Sequence, residues 1–194
     1  MTFLPIPICR PIWTATLTFI LAGAGGLCGC AVLVGNVKPV DQKSITYGVM
    51  DLSKEDPNWN SLLPVQTRSK GVTPSEVSDV AFQSKKTAST ISLTSGCRAG
   101  NESPSKDLRE FSQPLFSSLT KLRDRKENAR LVQNVPALET TAHGVAEGQD
   151  LVIRTVVLRK KSCVYDLTLV SLARFFVAET EAFSKFVESL RLKE

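Results

Sequence analysis

Few residues in this chain could carry acid–base or nucleophilic chemistry. One histidine, His143, stands in Thr140-Thr141-Ala142-His143-Gly144, and one carboxylate, Asp166, interrupts the apolar run Cys163-Val164-Tyr165-Asp166-Leu167. Covalent hydrolysis needs a nucleophile with a base beside it and a third group to orient that base. No serine stands in a Gly-x-Ser-x-Gly elbow. His143 is therefore read as a surface or hydrogen-bonded histidine. Asp166 has two readings. A carboxyl set in an apolar strand can act as an acid with a raised pKa, whereas one at a strand end commonly accepts bonds from backbone or from an arginine, here Arg154. One histidine and scattered cysteines lack the spacing of a zinc site, so neither a metal nor another cofactor is expected. The chain is expected not to be an enzyme, with a hydrolase as the most distant reading.

The cysteines carry more information. Cys28 and Cys30 lie near the end of a segment, Trp13 to Val34, that holds no charge. Ahead of them come one positive charge (Arg10), an apolar stretch from Ile12 to Leu21 and a small-residue exit, Gly23-Ala24-Gly25-Gly26. That is the layout of a bacterial export signal. Its ending, Leu27-Cys28-Gly29-Cys30, resembles the lipobox of bacterial lipoproteins. The resemblance implies that residues 1–29 are a signal peptide removed before Cys30, that the Cys30 sulfur receives a diacylglyceryl group, and that the new amine is acylated. Cys28 is the poorer acceptor, because Leu27 would then stand next to the cut where a small residue is wanted. Two alternatives stay open: an uncleaved helix, since about 20 apolar residues span a bilayer, and a cleaved protein without lipid. The glycines at 23, 25, 26, 29 and 35 oppose the helix, each costing about 1 kcal/mol relative to alanine. Ala31 to Gly35 departs from the pattern by staying apolar where a tether usually turns polar at once. One acyl chain binds a membrane marginally at about 0.8 kcal/mol per methylene, and several hold firmly. With Ala31 rather than aspartate after the cysteine, the resemblance implies a lipid-anchored protein of the bacterial cell envelope, on the periplasmic face of the outer membrane.

Without its first 29 residues the chain keeps 165, enough for a single domain. The mature part has 23 basic against 19 acidic groups, too even a balance for a nucleic-acid signature. The basic residues are spread among acidic ones in Lys121-Leu122-Arg123-Asp124-Arg125-Lys126-Glu127, with a second knot at Arg159-Lys160-Lys161. Such runs read as solvated faces, or as contacts for phosphate head groups or an acidic partner. Cys97 and Cys163 remain, and an even pair in an exported protein suggests a disulfide. Closing that separation would stabilise the fold by about 4 kcal/mol on the chain-entropy model; the alternative is two buried thiols.

Residues 30–44 read as a lipidated, flexible tether, and 45–194 as one α+β domain. Ile45 to Leu52 alternates as a first strand. Asp56-Pro57-Asn58-Trp59 reads as a turn carrying one large aromatic, and Val80 to Leu93 as a hairpin around Ser84-Lys85-Lys86-Thr87. Leu108, Phe111, Leu115, Leu119 and Leu122 recur at helical spacing over Lys106 to Arg125, with Pro114 either kinking that helix or opening a new one. Four strand candidates follow: Leu131 to Val135, Ala137 to His143, Leu151 to Leu158 and Val164 to Val170. Glu179 to Leu192 reads as a closing helix whose apolar face is Phe183, Phe186, Val187 and Leu190. The fold class is α+β, an antiparallel sheet of about six strands covered by a central and a C-terminal helix.

That order, with Pro57 and Trp59 in the early turn and Phe183-x-x-Phe186-Val187 in the closing helix, resembles the PsbP-like fold family. The segment Cys163-Val164-Tyr165-Asp166-Leu167, with Ser95-Gly96-Cys97 upstream, is most similar to its branch of bacterial envelope lipoproteins. The resemblance implies the fold over Ile45 to Leu192 and no particular activity. The expected function is a membrane-tethered, non-catalytic protein-binding or assembly module. Its partners would be the membrane, through lipid on Cys30, and an envelope protein. Trp59, Phe175 and Phe176 are the candidate contact residues, because adjacent phenylalanines cannot both face one core. The alternative is a binder of a small apolar ligand or lipid, in a cavity lined by Phe111, Phe116, Phe175 and Phe183.

Overall fold

The computed structural model describes residues 36–37, 46–62, 77–97 and 107–193. The expected signal peptide, Cys30 and most of the tether lie outside them. In chain order come β1 (Asn36–Val37), β2 (Tyr47–Gly48), α1 (Leu52–Glu55), β3 (Trp59–Ser61), β4 (Val77–Ser78), β5 (Val80–Ser84) and β6 (Thr90–Cys97). Then follow α2 (Arg109–Ser117), β7 (Thr120–Val132), β8 (Val135–Ala146), β9 (Gln149–Lys160), β10 (Cys163–Leu172), a 3-10 turn (Ala173–Phe175), α3 (Phe176–Ser189) and β11 (Arg191–Leu192). The main sheet has seven antiparallel strands in the order β3-β5-β6-β10-β9-β8-β7. Two short pairs, β1 with β4 and β2 with β11, stand beside it.

The meander from β7 to β10 is built by two-residue turns. Gln133 and Asn134 take φ of 53° and 61°, and Glu147 and Gly148 take 50° and 77°, the left-handed pair whose twist matches two antiparallel strands. Asn134 and Gly148 suit those positions because they tolerate positive φ at low cost. Alternation along the strands then sorts side chains onto two faces. On one, Ile91, Leu93, Tyr165, Leu167 and Leu169 pack under Phe183, Phe186, Val187 and Leu190 of α3 and its exit. Phe82 meets Phe186 edge to face at 5.9 Å, a favourable arrangement of ring quadrupoles. On the other face, Phe116 and Leu119 from α2 and its exit pack on Ala142, Ala146, Leu151, Ile153 and Val170. Gly144 permits this second layer: a Cβ there would stand 2.9 Å from the Leu119 Cβ.

Several sequence expectations need correction. The helix expected over Lys106 to Arg125 ends at Ser117, and Thr120 onward is strand. The hydroxyls of Ser117 and Ser118 donate to the carbonyls of Pro114 and Leu115 and occupy acceptors that the helix end leaves unpaired. The charged run beyond pairs with β8 from Asp124 to Val132. Leu119 still reaches a core, but Leu122 is exposed. Pro114 sits inside α2 and opens no new helix. The strand expected at Leu131 to Val135 is bisected by the Gln133-Asn134 turn. Ile45 to Leu52 contributes only β2 before α1 begins, where Asp51 caps the helix by accepting from the Ser53 backbone N–H. The closing helix stops at Ser189, and Arg191–Leu192 leaves it as a strand along β2. In the expected flexible tether, Asn36–Val37 pairs in parallel with Val77–Ser78. The sheet has seven strands because Trp59–Ser61 joins its edge.

Candidate functional site

The residues that could carry chemistry do not converge. Register and alternation put His143 inside β8 on the α3 face, opposite Asp124 and Val152. Asp166 lies in β10 on the α2 face, opposite Thr94 and Val157. The sheet separates them. Arg154 falls on the α3 face, so the expected bond from Arg154 to Asp166 does not form. Its Nε and Nη2 donate instead to Glu139 Oε1 at 3.1 and 2.9 Å, and Arg130 Nη1 donates to Glu139 Oε2 at 2.6 Å. Asp166 accepts from Thr168 Oγ1 at 3.0 Å. The carboxyl is half-buried, and loss of hydration pushes its pKa up to about 7, against which the Thr168 bond works.

Around Asp166 the α2 face carries a row of hydroxyls: Ser92, Thr168, Thr155 and Thr140 stand in register on β6, β10, β9 and β8. Thr140 and Thr155 are fully buried, and their hydroxyls have no hydrogen-bond partner among the described residues.

Cys97 and Cys163 are register partners at the ends of β6 and β10 and form a disulfide. The arriving chain is fastened beside it. Tyr165 Oη donates to Thr46 Oγ1 at 2.8 Å, and the rings of Tyr47 and Tyr165 meet edge-on at 6.1 Å. Buried Asp79 accepts from the Ser95 backbone N–H at 2.9 Å and from the Ser95 hydroxyl. Burial, and then the nearby charge of Asp79, push the Tyr47 hydroxyl well above its usual range. This corner fixes the start of the domain to the sheet.

The candidate contact aromatics separate. Trp59 is only 3% exposed, because its pairing with Ser84 turns the indole onto the α3 face among core residues. It is a core side chain and forms no exposed patch. Phe176 packs against the same core, while Phe175 is half-buried with the Arg174 guanidinium 4.7 Å from its ring centre. The imagined Phe-lined cavity is divided by the sheet: Phe116 belongs to one core and Phe183 to the other.

The charged run 121–127, read from the sequence as a solvated face or a contact for phosphate head groups or an acidic partner, lies on β7. It forms one edge of the main sheet, and most of its side chains are exposed. Five basic residues (Lys121, Arg123, Arg125, Lys126, Arg130) face two acidic ones (Asp124, Glu127) along it. Leu131 is 65% exposed near its end. There, Arg130 to Gln133 and α3's Val187 and Glu188 line a hollow of about 120 Å³, small against the few hundred Å³ of ordinary ligand sites. The signal was present in the alternating charges of 121–127, whose period of two suits a strand but was masked by the leucine spacing.

No protein-family model matches the chain, and no curated protein matches it. Among solved structures, the chain is similar to LpqN, described as involved in cell envelope biogenesis of Mycobacterium tuberculosis. The TM-score is 0.52 at 15% identity, covering 82% of this chain and 90% of that one. The solution structure of cyanobacterial PsbP from Synechocystis sp. PCC 6803 aligns with a TM-score of 0.49 at 12% identity, over 88% of this chain and 99% of that one. No helix among the described residues is long and apolar enough to cross a membrane. The observed order of early Trp turn, hairpin, central helix, four-strand meander and closing helix is the one expected from the sequence, and the chain has an α+β fold of the kind seen in LpqN.

Proposed function

We propose that this chain is a non-catalytic protein-binding module of the bacterial cell envelope, held by lipid on Cys30 at the periplasmic face of the outer membrane. The observation that carries the reading is the β7 edge: a long open strand with Leu131 displayed to solvent beside a shallow hollow. Isolated apolar residues on a surface are ordinary, and it is their combination with an open edge that marks a contact site. The involvement of LpqN in cell envelope biogenesis agrees with an envelope setting for this domain. No observation favours the apolar-ligand alternative, since the phenylalanines that would line its cavity lie on opposite faces.

The test places a photo-crosslinking amino acid at Leu131, or at Val177, an exposed apolar side chain in the first turn of α3, in the full chain in its host, with Cys30→Ser as control. A cross-link from Leu131 to one envelope protein, lost when Cys30→Ser releases the chain from the membrane, is the expected result. No protein adduct at either position, or adducts with lipid alone, overturns the reading.

A further inference from the structure

The sheet ends differently on its two sides. Among the described residues, β3 forms one edge with three residues and β7 the other with thirteen, and no further strand pairs with β7. Asp124 to Val132 pair with β8 without interruption, a stretch of about 30 Å at 3.4 Å per residue. An edge strand exposes unpaired N–H and C=O groups, and proteins usually blunt it with short length, bulges or charge. Here the irregularity is confined to the start: the register shifts between Thr120 and Asp124, and Lys121 takes φ of 50°. Beyond it the backbone is regular, so length and bulge do not guard this edge. What remains is charge, and it carries a sign.

We propose that β7 takes up an extended acidic segment of a partner protein as an eighth strand of the sheet. The inference rests on the protein-binding reading above and names the chemistry of the partner. Arg123 pairs with Asp150, Arg125 with Glu127 and Arg130 with Glu139. Lys126 is exposed in the regular stretch and makes no ion pair among the described residues. An incoming strand sets its side chains beside those of β7, alternately on the two faces. Carboxylates on it would meet Lys126 on one face and the Arg123–Arg125 side on the other. An apolar side chain at its end would meet the hollow bordered by Val132 and Val187. Backbone bonds supply affinity in this mode, and alternate side chains supply selection. A second copy of β7 is the poorer occupant, because the regular stretch Asp124–Val132 carries three basic residues against two acidic ones and Lys126 would find no surplus carboxylate on a copy of itself, and like charges directly opposite destabilise strand pairs.

The experiment uses the full chain in detergent micelles and a nine-residue peptide alternating Glu and Val as the probe. Comparison peptides carry Lys for Glu, or N-methyl groups on alternate amides. Binding is read by fluorescence anisotropy, and its location by amide hydrogen exchange. The Glu peptide is expected to bind at least about tenfold more tightly than the Lys peptide, to slow exchange along β7, and to weaken about fivefold on Lys126→Glu. The N-methylated peptide is expected not to bind. Failure of the Glu peptide to bind, equal binding of the N-methylated peptide, protection outside β7, or dimers joined through β7 would each overturn the proposal. If Leu131 still cross-links to an envelope protein in the host, only the strand-addition proposal falls; if that also fails, the binding-module reading falls with it.

Discussion

Replacing Asp166 by asparagine should make the protein more stable, and increasingly so as pH rises. Folding moves this carboxyl from 3.8 to about 7, so the folded chain favours the protonated form. Below about pH 3 the group is largely neutral in both states and costs nothing; at pH 4 the unfolded carboxyl is already about half ionised and the cost is about 0.5 kcal/mol. As pH rises towards 7 the unfolded chain ionises first and stability is lost; above 7 both states are ionised and the loss is complete. At about 1.4 kcal/mol per tenfold, the shift corresponds to about 4 kcal/mol. That is an upper figure, because the carboxyl is half-buried and keeps some contact with water. Asparagine has nearly the same shape and keeps an oxygen to accept from Thr168 Oγ1. Urea unfolding of both proteins from pH 4 to 8 gives the difference directly, free of the other titrating groups. The expected gap is about 0.5 kcal/mol at pH 4 and grows to about 2–4 kcal/mol in favour of Asp166→Asn above pH 7. A gap independent of pH, or one that shrinks as pH rises, would refute the assignment of burial as the cause.

Two further outcomes test the packing. Cys97→Ser with Cys163→Ser should lower stability by about 2–4 kcal/mol in chemical denaturation, and reductant should lower the wild type towards the same value; an unchanged unfolding midpoint would mean that the cross-link constrains little. Thr155→Val should be neutral or stabilising by about 1 kcal/mol, because the buried hydroxyl it removes has no partner; a clear loss in thermal unfolding would show that the hydroxyl is satisfied by a group such as an ordered water.

Much of the fold was legible in the sequence because its period is local. The hairpin around Lys85 and Lys86, the strands leading to β9 and β10, and the apolar face of α3 each follow from spacing within a dozen residues. The turns at Glu147-Gly148 and Lys161-Ser162 were likewise marked by short polar links. The pairing of Cys97 with Cys163 could be expected from their number and context, although their exact apposition depends on β6 lying beside β10. The stretch from Thr120 to Val132 failed because two periods compete there. Leucines continue the helical spacing, charges alternate as in a strand, and the strand wins because β8 offers a partner for its backbone.

That the charged run 121–127 would form a sheet edge was not legible, and neither was the fate of the site residues. Whether Trp59 is displayed or buried depends on its pairing with Ser84, a contact made across 25 positions of chain. Whether Arg154 can reach Asp166 depends on register, since a shift of one residue exchanges the faces of a strand; the observed register sends one to each side. The sequence by itself determined which segments are apolar at which period, and hence that helices and strands would form an α+β domain with helices covering an antiparallel sheet. Only the tertiary structure decided which strand is left at the edge, which aromatics are covered and which carboxyl loses its water. Those outcomes are set by long-range pairing and burial, and local spacing does not encode them.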